Sequence, residues 1–354
     1  MAKIKVGFIG TGRISDLHQL GYRDNPTGEL VAVADADASV GKSQAQKWGV
    51  KKVYSDYKKL LDDPGIDAVE ILLPHHLHLP VTLEALAAGK HVSLQKPMCL
   101  NMDEARKIIA AARSSKTLFR VLENYRTYEP YMRAKELIGA GEIGDPLAIR
   151  VKTVQGKALG GWDIPARAGV WRVDPKTGGG APAILDYGFH ITSIVPYFLG
   201  RVEKVHAMAD ISAGAGRWPG TPSVVIWKHE RAEKFGSWDL INSPEFVIPT
   251  SYYPVDEWVE VTGSRGILWV TRCSSVMTDL APVIVFKDGR RTEYREMETA
   301  WGDSFRRGAH EFTSAISTGK PAQLNAGEAA HCLAFCLAAI KSAEEHREIR
   351  LSEL

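Results

Sequence analysis

The stretch Lys5-Val6-Gly7-Phe8-Ile9-Gly10-Thr11-Gly12-Arg13-Ile14-Ser15 decides the fold. A short apolar run, Lys5–Ile9, enters a glycine-rich turn, and a helical pattern over Ile14–Tyr22 follows at once. This is a G-x-G-x-x-G fingerprint with Ser15 in the third place. Gly10 permits the tight turn, Gly12 lets backbone approach a pyrophosphate, and the third position needs only a small residue for helix–strand packing. The helix N-terminus then offers free N–H groups and partial positive charge to phosphates. Gly10, Thr11, Gly12, Arg13 and Ile14 are therefore the expected dinucleotide contacts.

Working outward, the second apolar run, Leu30–Ala34, ends at Asp35, about 20 residues past the turn, where an acid accepts a ribose 2′-hydroxyl. Ala36 and Asp37 follow, with no arginine to receive a 2′-phosphate. NAD is the expected cofactor, and NADP the lesser alternative because Lys42 lies nearby. Further runs at Ala68–Leu73, His91–Leu94 and Leu118–Leu122 are near-continuously apolar, as strands covered on both faces must be. Helical patterns over Val40–Trp48, Leu79–Ala88 and Asn101–Ser114 separate them, the last opened by Asn101 as N-cap with Glu104 three residues on. Alternation of this kind argues an α/β, doubly wound parallel sheet. Pro74 ends the fourth run at the carboxyl edge, where such sheets bind ligands. Leu73, Pro74, His75 and His78 are read as loop and helix-start residues beside the cofactor. His75, His76 and His78 have no nearby carboxylate to complete a ligand set, so no metal is expected.

The pattern changes near residue 127. After a helix over Pro130–Ile138 come extended segments at Ala148–Val154, Val202–Ile211, Ser223–His229, Lys234–Ile241, Trp258–Thr262, Ile267–Val270 and Val283–Phe286. Helices over Tyr187–Leu199, Ser304–Thr318 and Ala326–His346 accompany them. Turns at Gly263–Gly266 and Lys287–Arg290 favour a mostly antiparallel sheet. The expected organisation is a dinucleotide domain over 1–126 and an α+β domain over 127–354, its sheet covered by helices on one face. Two long glycine- and proline-rich loops, Gly160–Pro182 and Ser212–Pro222, suggest function.

Composition is that of an ordinary globular protein: 354 residues, 24% charged, formal net charge +2. No basic run suggests nucleic acid or an anionic membrane as partner. No signal-peptide pattern opens the sequence, and no apolar stretch is long enough for a spanning helix, so a cytoplasmic protein is expected. Cys99, Cys273, Cys332 and Cys336 form no C-x-x-C pair and read as reduced thiols.

The ordered pieces resemble the Gfo/Idh/MocA dehydrogenases, which include glucose–fructose oxidoreductase and inositol dehydrogenases. The pieces are Val6–Gly12; Ala88-Gly89-Lys90-His91-Val92 leading to Gln95-Lys96-Pro97; Asn124-Tyr125-Arg126; Gly141–Pro146; Gly178-Gly179-Gly180; Asp186–His190; Gly263–Gly266; and Phe312 to Pro321. The resemblance implies a Rossmann domain, a second domain with a large open sheet whose free face mediates homo-oligomerisation as a dimer or tetramer, and hydride chemistry on sugars or polyols. It places Gln95, Lys96 and Asn124 at the cofactor, and Tyr125 and Arg126 at the substrate. Gln95 departs from the family's usual Glu and removes a negative charge beside Lys96.

Oxidising an alcohol needs a base, a group that stabilises developing alkoxide, and fixed geometry. Lys96, Asp186 and His190 are the catalytic candidates. Asp186 and His190 are four apart on an expected helix, a spacing that puts both on one face. An acid beside an imidazole fixes its tautomer and stabilises the imidazolium. By resemblance, His190 takes the place of the family's catalytic histidine and Asp186 that of its partner. The plainer alternative is a helix-start acid, a core histidine and a surface lysine.

Eight of nine tryptophans lie after residue 150, and Trp162, Trp171, Trp218 and Trp301 fall in expected loops. Exposed aromatics of this kind near a cleft can stack on the apolar face of a sugar ring, and Arg172 and Lys176 could bind its hydroxyls; ordinary loop packing is the plainer alternative. The substrate side is thus taken as Lys96, Tyr125, Arg126, Trp162, Trp171, Arg172, Asp186 and His190. The expected activity is NAD-dependent oxidation of a ring hydroxyl of a sugar, glycoside or cyclitol. Two alternatives stand beside it: NAD-dependent glycoside cleavage without net redox, and a non-catalytic dinucleotide sensor.

Overall fold

A computed structural model describes residues 2–162, 167–212, 218–231 and 233–354. The chain divides into two compact units. The first combines the N-terminal segment to Asn124 with Gly302–Ala330; the second combines Tyr125–Trp301 with His331–Leu354. The chain thus returns to the first unit, where the sequence reading takes 127–354 as one continuous domain.

The first unit holds six strands: β1 Ile4–Ile9, β2 Gly28–Ala34, β3 Lys52–Tyr54, β4 Ala68–Ile71, β5 His91–Gln95 and β6 Phe119–Leu122. They form one sheet in the order β3-β2-β1-β4-β5-β6 with every pairing parallel. Strand order reverses between β1 and β4, which makes the carboxyl ends of those strands the ligand-binding crevice of this architecture. The expected apolar runs are the buried strands, with Val6, Phe8, Val33, Ala68 and Leu94 fully covered. Each large side chain so buried contributes roughly 1.5–3 kcal/mol. β3 escapes the sequence reading because Lys52-Val53-Tyr54 is a short edge strand with no apolar face to signal it.

Local chemistry fixes the helices. Asp37 caps Ala38–Trp48 by accepting from the amides of Ser39 and Val40, and Gly49 closes it at φ 74°. Asn101 caps Met102–Ser114 through the Glu104 amide at 2.9 Å, while the Glu104 carboxylate accepts from the Leu100 amide at 3.1 Å. The returning helix, Trp301–Thr318, lays Ala309 and Phe312 into the cluster formed by Val6, Phe8, Tyr22 and Val33.

The second unit holds β7 Pro146–Gly160, β8 Val202–Ala209, β9 Ser223–His229, β10 Phe235–Thr250, β11 Val255–Gly263, β12 Gly266–Val270, β13 Val283–Lys287, β14 Arg290–Tyr294 and β15 Ile349–Arg350. They form a sheet in the order β14-β13-β12-β11-β7-β10-β9-β8-β15. Among these pairings β7 with β10 is parallel and the rest are antiparallel. The β13–β14 hairpin turns through Asp288 at φ 51° and Gly289 at φ 73°, two successive positive values of the kind Asp-Gly supplies. β14 itself, Arg290-Arg291-Thr292-Glu293-Tyr294, has no apolar alternation and is not legible as a strand. One face of the sheet is covered by helices. Trp227 of β9 meets Phe335 of helix Ala326–Glu345 edge-on at 5.2 Å, and the Ala207 amide donates to Ser342 of the same helix at 2.9 Å.

The long loops differ from expectation. Gly160–Pro182 contains helices Arg167–Val173 and Pro175–Gly178. Its residues 163–166, and 213–217 of the other loop, lie outside the described residues.

Candidate active site

In the first unit the glycine-rich turn is built by backbone. Gly10 sits at φ 92°, and a Cβ there would meet the Leu72 carbonyl oxygen at 2.5 Å, so only glycine fits. A Cβ on Gly12 would meet nothing within 4 Å. Gly12 is thus not demanded by the protein's own packing, and the space above it is clear for a phosphate. Ser15, fully buried, donates its hydroxyl to the Gly12 carbonyl at 2.5 Å and tightens the turn.

Asp35 closes the turn from the end of β2. Its Oδ2 accepts from the Thr11 amide at 2.8 Å and the Thr11 hydroxyl at 2.7 Å, and its Oδ1 accepts from the Asp37 amide at 2.9 Å. Carboxylate oxygens offer about four acceptor sites in all, so one remains for a ribose hydroxyl. Donor turn, open approach and acid together fit a dinucleotide. Arg13 pairs with Asp16 at 2.8 Å, and Ile14 precedes the helix Ser15–Leu20.

The strand ends beside the turn carry the other expected contacts. Pro74 opens the short helix His75–Leu77, with His75 buried. His78, fully buried, has Nδ1 2.8 Å from the Pro97 carbonyl and Nε2 2.9 Å from the Leu73 carbonyl, tying the two loops together. Gln95 ends β5; its side-chain carbonyl accepts from the Lys96 amide at 2.8 Å and its amide nitrogen lies 3.2 Å from His18 Nε2. His18 in turn bonds to Glu70, which also accepts from Tyr22 at 2.6 Å. Lys96 is half-buried in the loop after β5. Asn124 donates to the Ser304 hydroxyl at 3.0 Å.

In the second unit His190 lies on helix Gly188–Leu199 and is 9% exposed. Its ring lies flat on Tyr125, with centroids 4.3 Å apart and planes 9° apart. Tyr187 meets it edge-on at 5.7 Å, and Trp301 does so at 6.5 Å. Asp186 stands just before that helix and accepts from Arg172 Nε at 2.9 Å. Behind the rings the carboxylate of Glu257, on β11, gathers the hydroxyls of Tyr131 and Tyr187, each at 2.5 Å, and of Thr153 at 3.2 Å. Burial pushes Glu257 up to about 7, against the pull of those hydroxyls. The same burial raises Tyr125, Tyr131 and Tyr187 well above the usual phenol range.

The family profile described as an oxidoreductase family with an NAD-binding Rossmann fold matches residues 4–123, and the Gfo/Idh/MocA C-terminal domain profile matches 131–269. The chain belongs to the Gfo/Idh/MocA family. It is an NAD(P)-dependent oxidoreductase with NAD as its cofactor. It is 26% identical to a myo-inositol 2-dehydrogenase of Thermotoga maritima over 359 residues, covering 99% of each chain. It is 28% identical to a levoglucosan dehydrogenase of Pseudarthrobacter phenanthrenivorans over 217 residues, covering 59% of this chain and 54% of that protein. A solved levoglucosan dehydrogenase, in complex with NADH and levoglucosan, superposes with a TM-score of 0.82 over 99% of this chain and 100% of that chain, at 20% identity, which shows a shared fold.

Against this Gfo/Idh/MocA background several expected site residues sit differently from the sequence reading. Asp186 and His190 do not share one α-helix: Asp186 belongs to a π-helical turn, Ala183–Tyr187, in which the Tyr187 amide donates to the Pro182 carbonyl five residues back. Such wide turns concentrate at functional sites. Arg126 is buried, and its guanidinium donates to the hydroxyl and carbonyl of Ser193, both at 3.1 Å. Trp171 is helical and lies under Arg172 at 4.3 Å rather than in a loop. Trp301 is also helical and buried, packed against Tyr125 and Tyr128 at 5.1 and 5.4 Å. Trp162 follows β7 and is edge-on to Tyr253 at 5.8 Å.

Glu257 lies outside the candidates the sequence offers, although a signal for it exists. In Val255-Asp256-Glu257-Trp258-Val259-Glu260-Val261 it shares the two-residue phase of the buried valines. An acid in the apolar phase of a strand marks a buried carboxylate that needs partners. Among the described residues no group of histidine, cysteine and acidic side chains is arranged to hold a metal, and no helix is long and apolar enough to cross a membrane.

Proposed function

We propose that this protein is an NAD-dependent dehydrogenase that reversibly oxidises a ring hydroxyl of a sugar, glycoside or cyclitol. The observation that carries the reading is His190, a nearly buried imidazole lying flat on Tyr125, on the helix that follows the turn holding Asp186. A base in that setting is oriented by packing and shielded from water, which is what proton abstraction from an alcohol asks of it. The end-to-end alignment with a myo-inositol 2-dehydrogenase supports a cyclitol or sugar as substrate class.

In this mechanism His190 takes the hydroxyl proton. Asp186, itself fixed by Arg172, stabilises the imidazolium that results. Lys96 is the electrostatic partner of the reacting oxygen. The Gly10–Ile14 turn holds the pyrophosphate and Asp35 the adenosine ribose, which favours NAD over NADP. NAD held there would supply the hydride acceptor. Tyr125, expected at the substrate, is buried with one face on Tyr131 and the other on His190, so it supports the base and is not a wall. Trp162 is the proposed apolar wall for a ring, and Arg172 is the proposed hydroxyl donor.

The exposed face of the second unit's sheet is the proposed homo-oligomer interface. Met208, Val224 and Ile226, neighbours across β8 and β9, are 66%, 40% and 49% exposed. Contiguous apolar exposure of this kind marks an association surface. A cytoplasmic location accords with four buried free thiols.

The test is a panel of sugars, glycosides and inositols with NAD or NADP, following reduced cofactor. NAD-dependent turnover on a polyol, lost in His190→Ala, is expected. Activity confined to non-carbohydrate ketones or imines overturns the substrate class.

A further inference from the structure

The mechanism above leaves one buried acid unused. Glu257 on β11 is 1% exposed, and its carboxylate faces hydroxyls from four other elements. Tyr131 comes from helix Glu129–Gly139, Tyr187 from the π-helical turn, Thr153 from β7, and Tyr125, at 3.5 Å, from the short helix Asn124–Thr127. Thr153 accepts from the Trp238 indole at 3.0 Å, so its own proton is directed at Glu257. Cys273 faces the cluster through the Tyr125 hydroxyl at 3.3 Å, and Asp256 stands beside Glu257 on its strand. Among the described residues no lysine, arginine or histidine pairs with this carboxylate. A buried carboxylate held only by hydroxyls is costly unless every donor stays aimed at it.

Those donors are also the walls of the candidate base. Tyr131, Tyr125 and His190 form a run of near-parallel rings, at 5.1 Å and 14° for the first pair and 4.3 Å and 9° for the second. Tyr187 touches both the carboxylate and the edge of His190.

We propose that Glu257 is a positioning residue for His190: its carboxylate fixes the hydroxyls, and hence the rings, of Tyr125, Tyr131 and Tyr187, and with them the orientation and proton affinity of the imidazole stacked on Tyr125. The inference rests on His190 being the base. In the ionised form Glu257 only accepts, and its negative charge favours the imidazolium. When it takes a proton from solvent it becomes a donor, so one hydroxyl must turn and re-pair, as Tyr125 and Tyr187 can with each other across 3.3 Å. Desolvation places this protonation near neutrality, about 7, with Asp256 acting in the same direction. On this proposal the charge state of Glu257 is felt at His190 through the rings that join them.

The test uses the full-length protein, wild type and Glu257→Gln, a change that keeps shape and removes charge. In the wild type the infrared carbonyl band of a protonated carboxyl should grow as pH falls through about 7, and it should be absent from Glu257→Gln. The His190 imidazole, assigned by NMR against His190→Ala, should titrate about 0.5 pH unit or more lower in Glu257→Gln, as expected when a neighbouring negative charge is lost. kcat should fall several-fold with KM little changed, since the residue acts through the base. A His190 titration that superimposes on wild type in folded Glu257→Gln overturns the proposal. Should that variant not fold, Tyr187→Phe removes a single donor; it must move both the infrared band and the His190 titration, and failure to move them overturns the proposal equally. Neither titration needs a substrate. A wild type inactive on every polyol therefore sinks the substrate reading alone, and an active enzyme with unmoved titrations sinks this inference alone.

Discussion

The two units hold their candidate residues by opposite means. In the first, the proposed ligand site is made by backbone: a turn at positive φ, helix N–H groups, and one acid that braces the turn through Thr11. Its parts lie within about 25 residues of one another, and Gly12 is left open. In the second, the candidate base is held by side chains from four strands and helices, stacked rings and a buried acid. A backbone site depends on conformation and tolerates changes in side chains that do not alter it. A side-chain site depends on packing and charge, and it is sensitive to both pH and single substitutions.

The largest effect that separates them is His190→Ala. Loss of a general base should lower kcat roughly 10²–10⁴-fold while leaving NAD affinity as it was. Steady-state kinetics beside an NAD titration measure both. If affinity for NAD falls together with kcat, the division of labour between the units is lost.

The pH dependence of stability should next distinguish the second unit. His331 accepts from the Val202 amide at 3.0 Å and must stay neutral to do so. Burial, then Arg201 and His229, push it from 6.5 to about 4. Its folded value is depressed, so its contribution is complete above 6.5 and is lost as pH falls toward 4. Glu257 is raised from 4.5 to about 7, so its contribution is complete below 4.5 and is lost as pH rises through 7. Each is worth about 3 kcal/mol across its window, and the two slopes oppose each other. Denaturant unfolding against pH should therefore show stability rising with pH in Glu257→Gln and falling with pH in His331→Gln, with the wild type flatter than either. Parallel curves for all three proteins rule out this account.

Much of the first unit is legible in the sequence because its signals are local. Turn, cap and strand-end residues lie within a few positions of their partners, and parallel strands covered on both faces show as apolar runs. What fails to show there are β3, which is exposed, and the short helix Tyr57–Leu61 that follows it. The second unit's sheet is legible wherever one face is buried, and its hairpin turn at Asp288-Gly289 announces itself. Its candidate site is not. Thr153, Tyr131, Tyr187 and Glu257 meet only after the sheet is assembled, and a π turn replaces the α spacing that the Asp186–His190 interval suggests. The tryptophans mislead for a related reason: Trp301 reads as a loop residue and instead opens a helix and packs on Tyr125 and Tyr128.

Within the first unit, Gly10 and Gly12 should separate a structural glycine from a ligand-side one. Gly10→Ala forces a side chain into positive φ and against the Leu72 carbonyl, costing about 2 kcal/mol. Gly12→Ala enters open space and should leave the unfolding midpoint unchanged, yet weaken NAD at least about tenfold by filling the approach to the pyrophosphate. Chemical denaturation and NAD titration of both variants decide this. Equal stability losses would remove the reason for assigning Gly12 to the ligand.

The smallest effect tests whether Asp35 serves the turn or the cofactor. Its carboxylate already accepts three hydrogen bonds, two from Thr11 and one from the Asp37 amide. Asp35→Asn keeps the size and one carbonyl oxygen but presents an N–H₂ where an acceptor stood. If the amide oxygen turns toward Thr11, the Asp37 amide loses its partner; if it turns toward Asp37, the Thr11 amide does. Either way stability should fall by about 1.5 kcal/mol, one hydrogen bond to a charged group being replaced or lost. The ribose effect is separate, because a neutral amide no longer repels a 2′-phosphate. NAD should weaken about tenfold, the worth of roughly 1.4 kcal/mol, while NADP holds or improves. A variant less stable but with an unchanged NAD-to-NADP ratio would make Asp35 a brace for the turn and nothing more, and cofactor choice would then have to be sought at Lys42 or Arg13. A changed ratio at unchanged stability would show the reverse, that the Thr11 contacts are incidental and the acid is there for the ribose.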